Sequence, residues 1–244
     1  AAVSELSTPE TSAKVNLHGK KAEVGGSANI IASDSITTTP TTVPVSGGML
    51  AIAPHINKTN VASTVEASVE NTILETTRDI TIDAKQTHTD HFRNVGVAVA
   101  GLSGMFATYD WTDNATTKIS LAAGTQLNAK QGKVNIGTHS SISETFHHVN
   151  VGVGVGKIAF ILPTFRQTEN STLSIANGVA IQAQGAVTIG NESVCNLNAT
   201  TYDVTLAAVS AGTGDTDIKL NTTQELTAGD AVGITGSSVD ILQK

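Results

Sequence analysis

The chain has a single cysteine, Cys195, among 244 residues. No internal disulfide is possible, and the redox compartment stays open, because near-absence of cysteine suits both cytosolic proteins and exported bacterial β-proteins. Stability has to come from a packed core, for which this length suffices. Aromatic residues make up only 3%, which argues against a propeller with a periodic aromatic signature in each blade. Charged residues are 14%, against about 25% in ordinary domains. The balance of 14 basic and 21 acidic residues gives a net charge of -7. That mild acidity disfavours nucleic acid or an anionic membrane surface as a partner, since phosphate is not attracted to it. No run of 18 apolar residues occurs, so no membrane-spanning helix is expected. Residues 1–10 contain no basic region followed by an apolar one; the expectation is a removed leader or a piece of a longer chain.

What is present is Val, Ala, Thr, Ser, Asn and Gly in regular alternation, a composition suited to a pleated surface. The text also repeats. Val95-Gly-Val-Ala-Val-Ala-Gly101, the stretch 105–114, Lys118-Ile-Ser-Leu121 and the stretch 127–136 come back in order as Val151-Gly-Val-Gly-Val-Gly156, 160–170, Thr172-Leu-Ser-Ile175 and 181–189. Val43-Pro-Val-Ser-Gly-Gly48 is a degenerate earlier copy, with Pro40 and Pro44 confining their stretch to a loop or an edge.

Aligned on Asn60, Asn114, Asn170 and Asn221, the copies lie 54, 56 and 51 residues apart. An apolar position follows at Ile73, Leu127, Ile181 and Val232. After it comes an alternating pair: Ile80-Thr-Ile82, Val134-Asn-Ile136, Val187-Thr-Ile189 and Val239-Asp-Ile241. Alternation of period two places one face inward and the other outward. Gly124, Gly178 and Gly229 mark turns where a positive φ is cheap. Sandwich domains run to about 100 residues, twice this period. The expected fold is all-β, a right-handed parallel β-helix with repeats of roughly 54 residues. About three coils of 18–20 residues are expected in each repeat. The expected organisation is one continuous domain: residues 1–59 as a degenerate first repeat with flanking coil, then regular repeats at 60–113, 114–169 and 170–220, with 221–244 partial. In such a stack the four asparagines form a structural ladder at a turn, and removing one costs about 1–3 kcal/mol if it is buried. His91, His147 and Tyr202 correspond, as do Tyr109 and Phe165, with Val95 and Val151 as register.

Candidate chemistry is thin. Of seven histidines, His88, His91, His147 and His148 lie closest together, but their spacing matches no closed zinc motif; they read as stacked or surface turn residues. Gly212-Thr-Gly-Asp215-Thr-Asp217 is one imperfect copy of a calcium-binding repeat and reads as a turn. Val151-Gly-Val-Gly-Val-Gly156 lacks the Lys-Ser/Thr and the helix of a phosphate cradle. A lyase or glycosidase on this scaffold needs clustered carboxylates, and Asp90, Asp110, Asp113, Glu169, Asp215 and Asp217 read as scattered turn residues. No catalytic, metal or cofactor-binding residue is assigned, no cofactor is expected, and the chain is not read as an enzyme. Asn-x-Ser/Thr acceptor patterns at Asn57, Asn114, Asn170, Asn191, Asn198 and Asn221 arise readily in this composition, and three coincide with ladder asparagines.

The unit running from the valine–glycine strand through Asn114-Ala-Thr-Thr-Lys-Ile119 to Gly132-Lys-Val-Asn-Ile136 resembles the passenger repeats of bacterial filamentous haemagglutinin and leukotoxin-family adhesins, exported by two-partner secretion or as autotransporters. Residues 60–241 carry the resemblance; residues 1–59 carry it loosely. It implies a structural or adhesive segment of a large exoprotein, secreted or at the bacterial cell surface, and it supplies no catalytic residues. Its implied partners are a host-cell surface protein or glycan and the neighbouring repeats of a parent chain. The alternative is a carbohydrate-active enzyme on a β-helix scaffold. Cytotoxicity, if the parent protein has it, is not expected to reside in this segment.

Overall fold

The computed structural model describes residues 2–5 and 9–244, with side chains described for 9–50 and 56–244. Every described element is a strand, and every pairing between strands is parallel. The strands form one large sheet and one small five-stranded sheet.

Each sequence repeat is one layer of a stack. Ala28 lies beside Ile80, Ile80 beside Val134, Val134 beside Val187, and Val187 beside Val239. Bonds between neighbouring layers accordingly span 52 to 56 residues. The expectation of about three short coils per repeat is corrected: one repeat makes a single layer. The reason is that inward–outward alternation runs with a single change of phase through strands Ile80–Leu121 and Val134–Ile175, each 42 residues long. No turn residue interrupts them at the spacing of a short coil.

Within the second layer, residues 80–100 bury even-numbered side chains and residues 103–121 bury odd-numbered ones. The parity changes at the exposed pair Gly101 and Leu102. The long strand is therefore two arms whose inner faces meet, as contacts such as His88 with Asp113 show. The arms close at the far end on the short strand Gln126–Ala129, which pairs with Ile73–Thr76 and Ala180–Ala183. At this base a column of isoleucines, Ile30, Ile82, Ile136, Ile189 and Ile241, stacks layer on layer. Leu74, Leu127, Ile181 and Ile234 form the facing column. Ile73 and Val232, expected in that column, lie one and two places off it. Each fully buried aliphatic side chain contributes about 1.5–3 kcal/mol.

At the other end the arms converge, and this explains the small residues. A Cβ on Gly96 meets the Met105 thioether at 2.9 Å, and one on Gly152 overlaps the Lys157 side chain, each from the opposite arm of its own layer. The valines between them point outward. Val97, Val99, Val153 and Val155 share one side, and that side is solvent: Val99 is 52% and Val155 67% exposed.

Several register expectations shift by two. Asn60 lies beside Thr112, Asn114 beside Ala62 and Thr168, Asn170 beside Thr116 and Thr223, and Asn221 beside Thr168. The four asparagines share the outward side of their arms but do not stack on one another. His91 lies beside Thr145, Tyr202 beside Val149, Tyr109 beside Pro163 and Phe165 beside Trp111. A slip of two residues leaves the inward–outward pattern intact, so low-complexity alternation cannot fix the phase. Residues 28–59, less similar in sequence, pair in the same register as the later layers. Residues 1 and 6–8 of the first segment lie outside the described residues.

One backbone corner recurs two residues before each short strand: Gly19 (φ 77°), Asn71 (41°), Gly124 (80°), Gly178 (73°) and Ala231 (56°). The last position corrects Gly229, which does not adopt a positive φ. A Cβ on Gly178 meets nothing within 4 Å, so strain alone opposes a side chain. Gly178→Ala is expected to lower stability by about 1 kcal/mol, and Ala231→Gly to shift it in the opposite direction. Urea unfolding of the two variants measures both.

Candidate functional site

Following the inward columns from base to tip, aliphatic residues give way to polar ones, then aromatics, then the converging rim. The polar layer is the unexpected part. Continuing inward from Ile80, Ile82 and Ala84, the first arm of the second layer places Gln86, His88 and Asp90 in the interior. Opposite them, stepping back from Leu121 and Ile119, the second arm places Thr117 and Asp113. The third layer adds Ser140 and Glu144 on one arm and Gln167, Glu169 and Ser171 on the other.

His88, wholly buried, sets both ring nitrogens to work. Nδ1 lies 2.9 Å from both Asp113 carboxylate oxygens, and Nε2 lies 2.9 Å from Ser63 Oγ. Burial alone lowers the imidazole pKa; the Asp113 hydrogen bond and charge, with Asp90 and Asp34 further off, raise it overall. Asp90, whose Oδ1 accepts from the Thr38 hydroxyl, is pushed up to about 6 by burial and by Asp113. Glu144 stacks beside Asp90 in the next layer and accepts from Trp111 Nε1 at 3.1 Å. Burial, aided by Asp113, pushes it up to about 7. Oxygens of Asp90, Asp113 and Glu144 all lie within 4.8 Å of one another.

Beyond the polar layer, Phe92, Tyr109, Trp111, Phe146 and Phe165 form one cluster, with Phe146 and Phe165 edge-on at 5.0 Å. Most of the chain's few aromatics are thus spent on a single core. His148 stacks parallel to Phe146 within it. Farther out, Lys157 turns inward and donates to Asp203 Oδ1 at 2.5 Å. The rim itself is apolar on its outer surface. Val45, Val97, Val151 and Val204 stack in one outward column, and Val99, Val153 and Leu206 in the next. Phe106 stacks on Phe160 at 5.2 Å. Leu50, Leu102, Phe106, Val155, Ile158 and Val209 border a shallow hollow of about 580 Å³. The second layer carries no charged residue from 94 to 109.

No family model, curated protein or solved structure matches this chain. Its chemistry is therefore read from the arrangement itself.

Sequence reasoning placed His88, Asp90, Asp113 and Glu169 on surfaces or in turns; all four are buried in strands. The signal was parity. Asp90 keeps step with Ile80 and Ile82, and Asp113 with Ile119 and Leu121, so inward alternation carried through the polar residues finds them. Asp110, out of step, is half-exposed and bonds Arg166 at 2.7 Å. Asp217, at the supposed calcium-binding turn, is exposed and pairs with Lys219 at 3.4 Å. The side chain of His55 lies outside the described residues.

The polar layer makes stability pH-dependent. Folded Asp90 and Glu144 hold protons that the unfolded chain releases between about pH 4 and 7, so stability falls as pH rises through that window. The raised His88 acts in the same direction, its contribution being lost as pH rises through the folded value. Glu144→Gln keeps an acceptor for Trp111 and removes the titrating group. In chelator-treated protein the variant is expected to match wild type at pH 4 and to exceed it by up to roughly 3 kcal/mol at pH 8. Urea titrations at the two pH values measure the difference.

Proposed function

We propose that this chain is a segment of a right-handed parallel β-solenoid with a structural and adhesive role, in an exoprotein of the filamentous-adhesin kind, secreted or held at the bacterial cell surface. The observation that carries the reading is the rim: an apolar outer surface continued from layer to layer by residues such as Leu50, Leu102, Ile158 and Val209. Contiguous exposed apolar surface on this scale marks a contact surface, and depletion of charge is the mark of an interface core. Parallel pairing through successive layers supplies the rigid support behind it. The resemblance of the valine–glycine units to adhesin repeats supports the same reading. Aliphatic side chains, with few polar groups among them, suit a protein surface on the host cell better than a glycan. The enzyme alternative finds less support. The one cluster of three carboxylates among the described residues is 2%, 0% and 4% exposed, out of reach of a polysaccharide.

Leu102→Glu and Val155→Glu place charges on the rim without emptying the core. Fluorescently labelled wild-type protein is expected to bind cultured host cells, and each variant to bind on the order of tenfold more weakly with an unchanged circular dichroism spectrum. Equal binding by wild type and both variants overturns the role of the rim, and turnover of an oligosaccharide overturns the adhesive reading.

A further inference from the structure

We propose that Asp90, Asp113 and Glu144 form an interior site for a calcium-like divalent cation, independent of whatever the rim contacts. Their oxygens lie within 4.8 Å of one another. Two oxygens on opposite sides of Ca²⁺ are about 5 Å apart, so one such ion can reach all three carboxylates.

Observations beyond the three carboxylates point the same way. Phe92, Trp111, Phe146 and Phe165 wall off Asp90 and Glu144 around a residual void of only about 10 Å³ whose accessible surface is apolar, so the cluster is sealed on that side. Gln167 lies in register beside Asp113 on the next layer and is 2% exposed, yet its Nε2 has no partner, while its Oε1 accepts from the Cys195 thiol at 2.9 Å. The carboxylate of Glu169, wholly buried, keeps an unpartnered Oε1, and Cys195 feels Glu144, Glu169 and Asp113 together. Asp90 Oδ2 is likewise buried without a partner.

Charge balance adds a further reason. Asp90, Asp113, Glu144 and Glu169 are four buried carboxylates, and His88 is the base paired with them. Lys157, also buried, is committed to Asp203 near the rim. Unneutralised charge in such an interior is strongly unfavourable. A cation among the three carboxylates neutralises the cluster and gives the orphaned Asp90 Oδ2 a partner. Oxygen donors without an available thiolate or imidazole select a hard ion. Both nitrogens of His88 are engaged, so it holds Asp113 in place rather than binding the ion. The aromatic wall closes the site, so the ion is taken up as the chain folds.

Trp111 is the single tryptophan, and its Nε1 is 3.1 Å from Glu144 Oε1, which makes it a built-in donor for Tb³⁺, a luminescent substitute for Ca²⁺. Protein stripped with a chelator is unfolded and refolded with Tb³⁺, and separately with Ca²⁺. The expected results are Tb³⁺ emission excited through Trp111 and competed by Ca²⁺, and a melting midpoint raised by Ca²⁺. In Asp113→Asn and Glu144→Gln the apparent affinity falls on the order of tenfold or more, while Asp217→Asn, at the exposed turn, behaves as wild type. Absence of sensitised emission after refolding, or emission undiminished in both cluster variants, overturns the proposal in favour of protons shared among the carboxylates. Should the variants fail to fold, the metal content of refolded, dialysed wild type decides: retained stoichiometric Ca²⁺ supports the site, and none overturns it.

Discussion

The parallel ladder between layers governs everything else in this protein. Hydrogen bonds between neighbouring strands fix each residue beside one partner in the next repeat, about 4.8 Å away, so side chains that point inward stack into columns. A column of isoleucine is favourable at every step. A column of carboxylates is not, and Asp90 beside Glu144 is one. The ladder thus converts single buried acids into close pairs, and Asp113 reaches them from the opposite arm. Burial raises the pKa values of Asp90 and Glu144, and the charge of Asp113, reaching in from the opposite arm, adds to it.

The same constraint shapes the two ends of each layer differently. At the base a third short strand keeps the arms apart, and branched aliphatics fill the gap. At the tip there is no third strand. The arms close on each other, so inward residues have to be small: Gly96, Ala98 and Ala100 in one layer, Gly152 in the next. The narrow interior there is filled by a few long side chains, Met105 against Gly96 and Lys157 against Gly152, and the remaining apolar residues at the tip lie on the outer surface. The exposed valines and leucines of the rim and the glycines between them are two consequences of one narrowing.

Much of this was legible in the sequence, and the misses share a cause. The repeat, the all-β class, the alternating pair at Ile80 and Ile82 and the common side of the rim valines follow from period-two alternation. Alternation has no memory of phase, however. Val95 matches Val151 in sequence as well as it matches Val149, and the asparagine alignment drifts by two in the same way. Nor does alternation say how long a layer is; that depends on where the chain can fold back, and Gly101-Leu102 carries no strong turn signature. The polar layer was missed because Asp and His were read by their usual place in turns rather than by their step relative to neighbouring isoleucines.

Phase is then decided by the interior rather than by the rim. Sliding one layer by two residues leaves valine on valine at the tip, so the rim cannot distinguish the two registers. Inside, the same slide moves Phe146 off Phe92 and brings His148 there instead, and it sets Glu144 beside His88 rather than Asp90. It also displaces Val134 and Ile136 from Ile80 and Ile82 at the base. Aromatic contact between Phe92 and Phe146, with centroids 5.6 Å apart, is lost in the slipped state, which an aliphatic interior would barely penalise. Columns of dissimilar residues discriminate between registers where columns of like residues do not. The aromatic and polar columns are therefore what select one stacking among several that the low-complexity text permits. The carboxylate layer, costly by itself, lies within the part of the interior that makes that selection.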